Sequence, residues 1–199
     1  KIAAMEAETR AFCHSLIDDM GAADVVDAAD QYAKHIPPAV IAHMLDLPLA
    51  DGELFRDFIH TALEGVAEDQ AVRQAGWQKL DEYLDRRISE RSENLGEDLL
   101  SYLLTVEMGG NKLQPEHVRG TVALLLIAGI DTTWSAIGST LWHLAKTPND
   151  LARLGREPEL VPTAVEEMLR AYAPVTMARV VAKDVEIGGL VRERDGKDV

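Results

Sequence analysis

The sequence contains a single cysteine, Cys13, among its 199 residues. One cysteine excludes a disulfide framework within the chain, and it favours a reducing, cytoplasmic setting. Long apolar runs are also missing, because the longest uninterrupted one covers only Val122–Ile130. That run is far shorter than the ~18 residues that indicate a membrane span, so the sequence predicts no membrane insertion.

Basic charge is scarce as well. The chain carries 20 lysines and arginines against 34 aspartates and glutamates, for a net charge of −14, and most of the acidity lies in residues 1–100. Nucleic-acid binding needs a basic face, and an anionic membrane surface attracts basic clusters. The balance therefore argues against both partners and is typical of a solvated acidic surface.

Histidine pairs at helical spacing are absent. A helical metal site places two histidines three or four residues apart on one face, and no two of the six histidines have that spacing. The sequence therefore predicts no metal site built from histidine. The six are His14, His35, His43, His60, His117 and His143.

What the chain does have is helical patterning along most of its length. Residues 71–91 place Leu80, Leu84 and Ile88 in one stripe, and Pro37-Pro38 predicts a helix boundary at or just before the pair. No proline falls between Pro115 and Lys146, which predicts one helix of unusual length. Such a long apolar helix is expected to run through the middle of a large fold.

The character of the chain changes after Pro174. Val and Ile become frequent, and Gly188-Gly189 follows, so this part predicts one or two strands with a turn and a further strand beginning after it. The fold class predicted from the patterning is therefore mainly α with a small β part.

The stretch "AGIDTT", residues 128–133, sits in the long apolar helix although it holds poor helix formers. Glycine costs about 1 kcal/mol in a helix interior, and a threonine hydroxyl can bond to the carbonyl four residues earlier and bend the helix. These residues predict a kink or a widened turn. Two interpretations follow: Gly129 makes room for a flat ligand beside a proton-relaying carboxylate and hydroxyl, or it allows a crossing helix to pack closely.

With this motif inside a long helix, the sequence resembles the central helix of the cytochrome P450 family. A second element, "EEMLR", resembles the family's Glu-x-x-Arg helix through Glu167 and Arg170, and Arg179 follows at a matching position. Glu-x-x-Arg alone is common, since Glu53–Arg56 and Glu116–Arg119 have the same spacing and read as ordinary surface pairs. The order of the three elements carries the resemblance, which implies a partial P450 fold.

The resemblance implies a role for each motif residue around a haem group. Ala128, Gly129, Thr133 and Arg179 are expected to contact the haem, with Arg179 pairing with a propionate. Asp131 and Thr132 are expected to be catalytic, because the family uses this acid–alcohol pair to deliver protons to oxygen.

The remaining roles implied by the resemblance lie downstream. Val175 and Thr176 are expected to border the substrate pocket. Glu167 and Arg170 are expected to be structural and to lock the core behind the haem. No metal ligand is assigned within the chain.

The implied activity is that of a monooxygenase that hydroxylates or dealkylates a small apolar or aromatic substrate. It would use O2, haem, and electrons from an NAD(P)H-driven reductase. The stretch "LLLIAGIDTTWSAIGSTLWHLA" is most similar to bacterial P450s fused to their own reductase. That similarity would allow FMN and a 2Fe–2S cluster in a fused partner.

The resemblance also sets limits. The family takes its haem thiolate from a C-terminal cysteine loop, and "AFCHSLI" around Cys13 reads instead as an amphipathic helix with a buried small side chain. Residues 1–199 are therefore expected to be the central fragment of one haem domain, inactive alone. The alternative is a non-catalytic helical scaffold or interaction domain that has lost the haem ligand.

Overall fold

A computed structural model describes residues 2–61, 70–175 and 181–192. Most of these residues are helical, as the patterning predicts. The α-helices are α1 (Glu6–Met20), α2 (Ala28–Gln31), α3 (Ile36–Leu45), α4 (Gly52–Ile59), α5 (Gln70–Glu93), α6 (Leu99–Thr105), α7 (Pro115–Lys146), α8 (Pro148–Arg156) and α9 (Val161–Ala171). Short 3-10 turns cover Ile2–Met5, Ala33–His35, Leu49–Asp51 and Pro158–Leu160.

Two small antiparallel hairpins complete the described elements. Strand β1 (Glu107–Met108) pairs with β2 (Asn111–Lys112), and β3 (Val185–Ile187) pairs with β4 (Leu190–Arg192). Each two-residue turn is a glycine pair with positive φ at both positions, which glycine adopts without steric cost. The strand prediction after Pro174 is confirmed. The sequence pattern "EDLLSYLLTVEM" predicts a short helix that ends at Gly109-Gly110-Asn111. The structure corrects this boundary, because α6 ends at Thr105 and the two glycines form the turn of the first hairpin.

Helix α7 has the bounds that the sequence predicts, and its 32 residues extend about 48 Å. It begins at Pro115, because proline fits the first helical turn, where its missing N–H is not needed. It ends before Pro148, whose ring is incompatible with a continuing helix. Both boundaries are therefore set by residues next to them in the sequence.

The core lies where α3, α4, α5, α6 and α7 meet. Val118, Val122, Leu126 and Ile130 follow one another at a spacing of four on α7, and all four are buried. The predicted stripe of α5 is confirmed, since its members are buried in the same cluster. Burial of these apolar side chains is the main stabilising term of this region.

Only the first half of α7 is a core helix within the described residues. None of its side chains after Ile130 is fully buried, and neither α8 nor α9 has a buried residue. By length and composition α7 could cross a membrane, with a mean hydropathy of 1.5 over 18 residues. The core helix of a soluble protein meets the same criterion, and 22% of that window is buried. Its buried residues pack into the cluster formed with α3, α4, α5 and α6.

The prediction that Cys13 is a buried residue of helix α1 is wrong. Cys13 is partly exposed rather than buried, because α1 lies at the periphery, packs on α3 and has no buried residue. Its thiol interacts with Tyr32, whose pKa is raised to about 12 by burial and then by this hydrogen bond.

The N-terminus of α6 is held by a buried carboxylate. Asp98 accepts hydrogen bonds from the Ser101 amide (2.8 Å) and hydroxyl (2.6 Å), and from Arg91 Nη1 (3.0 Å). Its side chain is 6% exposed. Burial by itself raises the pKa of Asp98, but the Ser101 hydrogen bonds and the Arg91 charge outweigh it and hold the pKa below its usual value.

Asp98→Asn is expected to lower the free energy of unfolding by about 2 kcal/mol at neutral pH, because the charge-assisted bonds are lost while the cap is kept. A lowered folded pKa stabilises the fold above the unfolded pKa, near 3.9, and that stability is lost as the pH falls through the folded value. Urea unfolding of both proteins from pH 7 to pH 3 should therefore show the difference shrinking below about pH 5. Glu93→Gln, at an exposed carboxylate, is the control. If the difference in unfolding free energy between Asp98→Asn and the wild type did not change with pH, the stabilising role of the charged Asp98 carboxylate would be contradicted.

Candidate functional site

Residues 128–133 lie in the middle of α7, where the helix passes from the core to its less buried half. The α-helix continues through them without interruption, so the predicted widened turn is absent. The physical reason is that both poor helix formers have partners there: Gly129 packs against another helix, and the Thr132 hydroxyl bonds within the helix. Ile130 is fully buried, while Ala128 and Thr133 are exposed and Asp131 is half-buried.

The Thr132 hydroxyl has a fixed position. Its Oγ1 donates a 2.6 Å hydrogen bond to the carbonyl oxygen of Ala128, which is the four-residue back-bond that threonine makes in helices. The hydroxyl oxygen still has lone pairs that can accept a hydrogen bond. The side chain is thus half-buried, oriented and able to take part in a proton path.

Gly129 lies where α7 packs against Ile41 of α3. A Cβ built on Gly129 would lie 2.9 Å from Ile41 Cδ1, a distance at which one of the two atoms must move. Of the two interpretations that the sequence leaves open, close packing of another helix therefore describes the Cβ side of Gly129. Its predicted haem contact stays a prediction.

The neighbouring face of α7 is apolar and open. Leu124 is 65% exposed, and Ala128, one turn later, is exposed with only a methyl side chain. A flat apolar group can lie on such a surface, because a short side chain lets it approach the helix backbone. These residues therefore fit one side of a macrocycle such as haem, with the Thr132 hydroxyl on the same segment.

Glu167 and Arg170 pair with each other on α9. Arg170 Nε and Nη2 donate to the two carboxylate oxygens of Glu167 at 2.7 Å each. The hydrogen bonds from Arg170 lower the pKa of Glu167. Both side chains are exposed, so the pair adds little to stability as it stands.

The two other Glu-x-x-Arg copies differ in outcome. Arg56 pairs with Glu53, as the sequence predicts. Arg119 corrects the prediction, because its Nη1 donates to both carboxylate oxygens of Asp85 at 3.0 and 2.8 Å rather than to Glu116. Helix α5 packs along α7 and presents that carboxylate, which a reading of local spacing does not detect.

The predicted substrate and propionate residues follow α9. Val175 is described and is 50% exposed. Thr176 and Arg179 lie outside the described residues. No group of three or more potential metal ligands is found among residues 2–61, 70–175 and 181–192.

A polar cluster that sequence reasoning did not identify joins α7 to the two helices after it. His143 Nδ1 lies 2.8 Å from the Tyr172 hydroxyl at the end of α9, and Nε2 lies 3.0 Å from Asp150 Oδ2 on α8. The one sequence signal is a basic residue in the last turn of a helix, which favours the helix dipole. This cluster anchors the Glu-x-x-Arg helix to the helix that carries residues 128–133.

Comparison with known proteins gives a consistent result. The sequence model described as Cytochrome P450 matches residues 66–195. The chain is 36% identical over 200 residues to cytochrome P450 105A3 of Streptomyces carbophilus, covering 98% of this chain and 48% of the relative. It is 32% identical over 200 residues to the vitamin D3 dihydroxylase of Streptomyces griseolus, covering 98% and 49%.

Solved structures agree with the sequence matches. A cytochrome P450 of the bacillaene polyketide synthase from Bacillus subtilis superposes with a TM-score of 0.88 at 25% identity, over 97% of this chain and 50% of that one. The ligand-free cytochrome P450 TbtJ1 gives a TM-score of 0.85 at 32% identity, over 97% and 52%. The chain spans about half the length of the curated relatives that it matches.

Proposed function

The chain belongs to the cytochrome P450 family, and from this premise we propose that it is the central part of a haem-dependent monooxygenase that oxidises a small organic substrate. The observation that carries the proposal is the position of residues 128–133, on a core helix where an oriented hydroxyl adjoins an open apolar face. Haem, when bound, supplies the activation of dioxygen, with a cysteine thiolate favouring O–O cleavage.

The open face of α7 is proposed to take one side of the haem. The short side chain of Ala128 lets a flat group approach the helix backbone there, and Thr133 is exposed on the adjoining turn. Gly129 is proposed to contact the haem only through its backbone, because Ile41 fills the space on its Cβ side. Arg179 is proposed to pair with a propionate, since a guanidinium matches a carboxylate with two parallel hydrogen bonds. Supporting this assignment is the exposure of a large apolar side chain, Leu124, on the half of the helix that also supplies core residues.

Proton handling is proposed for Asp131 and Thr132. The Thr132 hydroxyl donates a hydrogen bond to the Ala128 carbonyl. This bond orients the hydroxyl oxygen so that its lone pairs can accept another hydrogen bond. Asp131 is the adjoining carboxylate and is half-buried. In the proposed path, Asp131 exchanges protons with solvent. The Thr132 hydroxyl releases its bond to the Ala128 carbonyl, donates its proton to the reacting oxygen and takes a proton from Asp131, which is general acid catalysis by positioned groups.

The supporting residues have separate proposed roles. Glu167 and Arg170 hold the structure behind the haem, and their two-bond pairing keeps the arginine oriented for that role. Val175 and Thr176 border the pocket for a small apolar or aromatic substrate. Val175 is half-exposed, and an apolar side chain that lines a pocket must be accessible to the substrate.

The electrons are proposed to come from an NAD(P)H-driven reductase in a cytoplasmic setting. Fusion of this reductase to the chain, with FMN and a 2Fe–2S cluster, stays a prediction from the sequence alone. The domain assignment, residues 1–199 as the central part of one haem domain, is supported by the coverage of about half of each relative. Cys13 lies on the peripheral helix α1 beside Tyr32, so it is not proposed as the haem ligand.

A carbon monoxide difference spectrum tests the proposal. The parent protein that contains this chain is expected to show the shifted Soret band of a thiolate-ligated haem. The isolated 199-residue chain is expected to lack that band on haem titration, because its one cysteine is Cys13, and to have no monooxygenase activity.

A Cys13→Ser variant of the isolated chain is the control, since it should give the same spectrum as the wild type. A thiolate-type band in the isolated chain that Cys13→Ser abolishes would overturn the assignment of Cys13. No band in the parent protein would overturn the monooxygenase proposal and favour a helical scaffold.

A further inference from the structure

Helix α3 touches the proposed oxygen site through one side chain. Seven of the ten residues of α3 are buried, among them Ile41, which is 4% exposed. The terminal methyl of Ile41 occupies the place where a side chain on residue 129 would begin, at 2.9 Å from the ideal Cβ, and Ile41 Cγ1 lies at 3.9 Å. Among the described residues, and apart from the chain neighbours of Gly129 and the backbone of its own helix, no other atom lies within 4 Å of that position, so the contact is made by the Ile41 side chain alone.

The contact adjoins the hydrogen bond that orients the Thr132 hydroxyl. Gly129 follows Ala128, whose carbonyl accepts that bond. The Ile41 methyl group packed against Gly129 therefore holds this turn of α7 against the core, beside its open face. Dense packing transmits such a constraint, because protein interiors leave no room for the turn to shift.

We propose that Ile41 is a positioning residue for the site: its Cδ1 methyl, seated on Gly129, holds the turn that carries the Ala128 carbonyl and the Thr132 hydroxyl. The catalytic meaning of this turn rests on the proposed function, but the contact itself does not. A side chain at position 129 would require the end of the buried Ile41 side chain to move, so the two residues act as one size-matched pair.

The size match predicts that G129A changes the stability of the fold in opposite directions in the wild type and in an I41V background. With Ile41 present, G129A places a methyl group into occupied space, and the resulting strain outweighs the gain in helix propensity. In an I41V background the Cδ1 methyl is gone, so G129A fills the gap and only the propensity gain is left. G129A should thus lower the folding equilibrium constant in the wild type and raise it in I41V, with a coupling of about tenfold.

The experiment is a double-mutant cycle on the 199-residue chain, measured by urea unfolding of the wild type, G129A, I41V and G129A/I41V. Ile88 provides the matched control, because it is another buried isoleucine, 7% exposed on α5, and lies beyond 4 Å of the Gly129 Cβ position. G129A should remain destabilising in an I88V background. Equal effects of G129A in the I41V and I88V backgrounds would overturn the size match.

Native-state amide exchange separates positioning from general stability. I41V should accelerate exchange at residues 130–133 about fivefold more than at residues 119–123, whereas I88V should not. Uniform acceleration along α7 by I41V would overturn the positioning role. Neither the unfolding cycle nor the exchange measurement involves haem. Their results would therefore still hold if the proposed monooxygenase function were disproved, and a failed cycle would not bear on that function.

Discussion

Replacement of Thr132 by alanine in the haem-containing parent protein is expected to reduce product per electron consumed by at least about tenfold, because a positioned proton-transfer group is lost. The missing electrons should appear as hydrogen peroxide. The reason is that the Thr132 hydroxyl, fixed at 2.6 Å from the Ala128 carbonyl, is the oriented proton donor and acceptor in the proposed path. The measurement is the ratio of product to peroxide at a fixed consumption of NAD(P)H.

Two variants control this result. Thr132→Ser keeps a hydroxyl and should restore most of the coupling. Thr140→Ala removes the same kind of back-bond two turns later, where Thr140 Oγ1 donates to Ala136 O at 2.8 Å, and it should leave the ratio unchanged. A normal product ratio in Thr132→Ala would remove Thr132 from the proton path while leaving the family assignment intact.

Phe55→Ala is expected to have the largest effect on stability, lowering the free energy of unfolding by about 3–5 kcal/mol. Phe55 is 0% exposed, and its ring meets the edge of Tyr83 with centroids 5.7 Å apart. The substitution opens a cavity where α4 packs against α5 and also removes this aromatic contact. Such a loss is a large share of the 5–15 kcal/mol that holds a typical domain folded.

The neighbouring polar network makes the cavity costly. The Tyr83 hydroxyl donates to Asp51 Oδ2 at 2.6 Å, and Arg87 Nη2 donates to the same oxygen at 2.8 Å. Burial raises the pKa of Tyr83 to about 12, with the Asp51 hydrogen bond adding to the effect. A shift of the Tyr83 ring into the cavity would therefore weaken hydrogen bonds that are partly shielded from water.

Urea unfolding of the 199-residue chain provides the measurement. Leu54→Ala is the matched control, since Leu54 precedes Phe55 on α4 but is 36% exposed, and it should cost less than about 1 kcal/mol. Equal losses for the two variants would show that α4 does not contribute to the core as described.

Local features of the fold could be predicted because their causes are adjacent in the chain. The bounds of α7 follow from Pro115 and Pro148, and the second hairpin follows from Gly188-Gly189 between short β-branched segments. The stripe of α5 follows from helical spacing alone. The order of the two family motifs likewise needed no structure, because a motif is a local arrangement of residue types.

The sequence by itself therefore determined the fold class, the long helix and the family. Only the tertiary structure decided which partners the key residues have. Ile41 fills the space beside Gly129, Arg119 pairs with Asp85 instead of Glu116, and Tyr172 reaches His143 from the end of α9. The physical reason is that backbone preferences act over a few residues, whereas packing and ion pairing depend on side chains that folding brings together from distant parts of the chain.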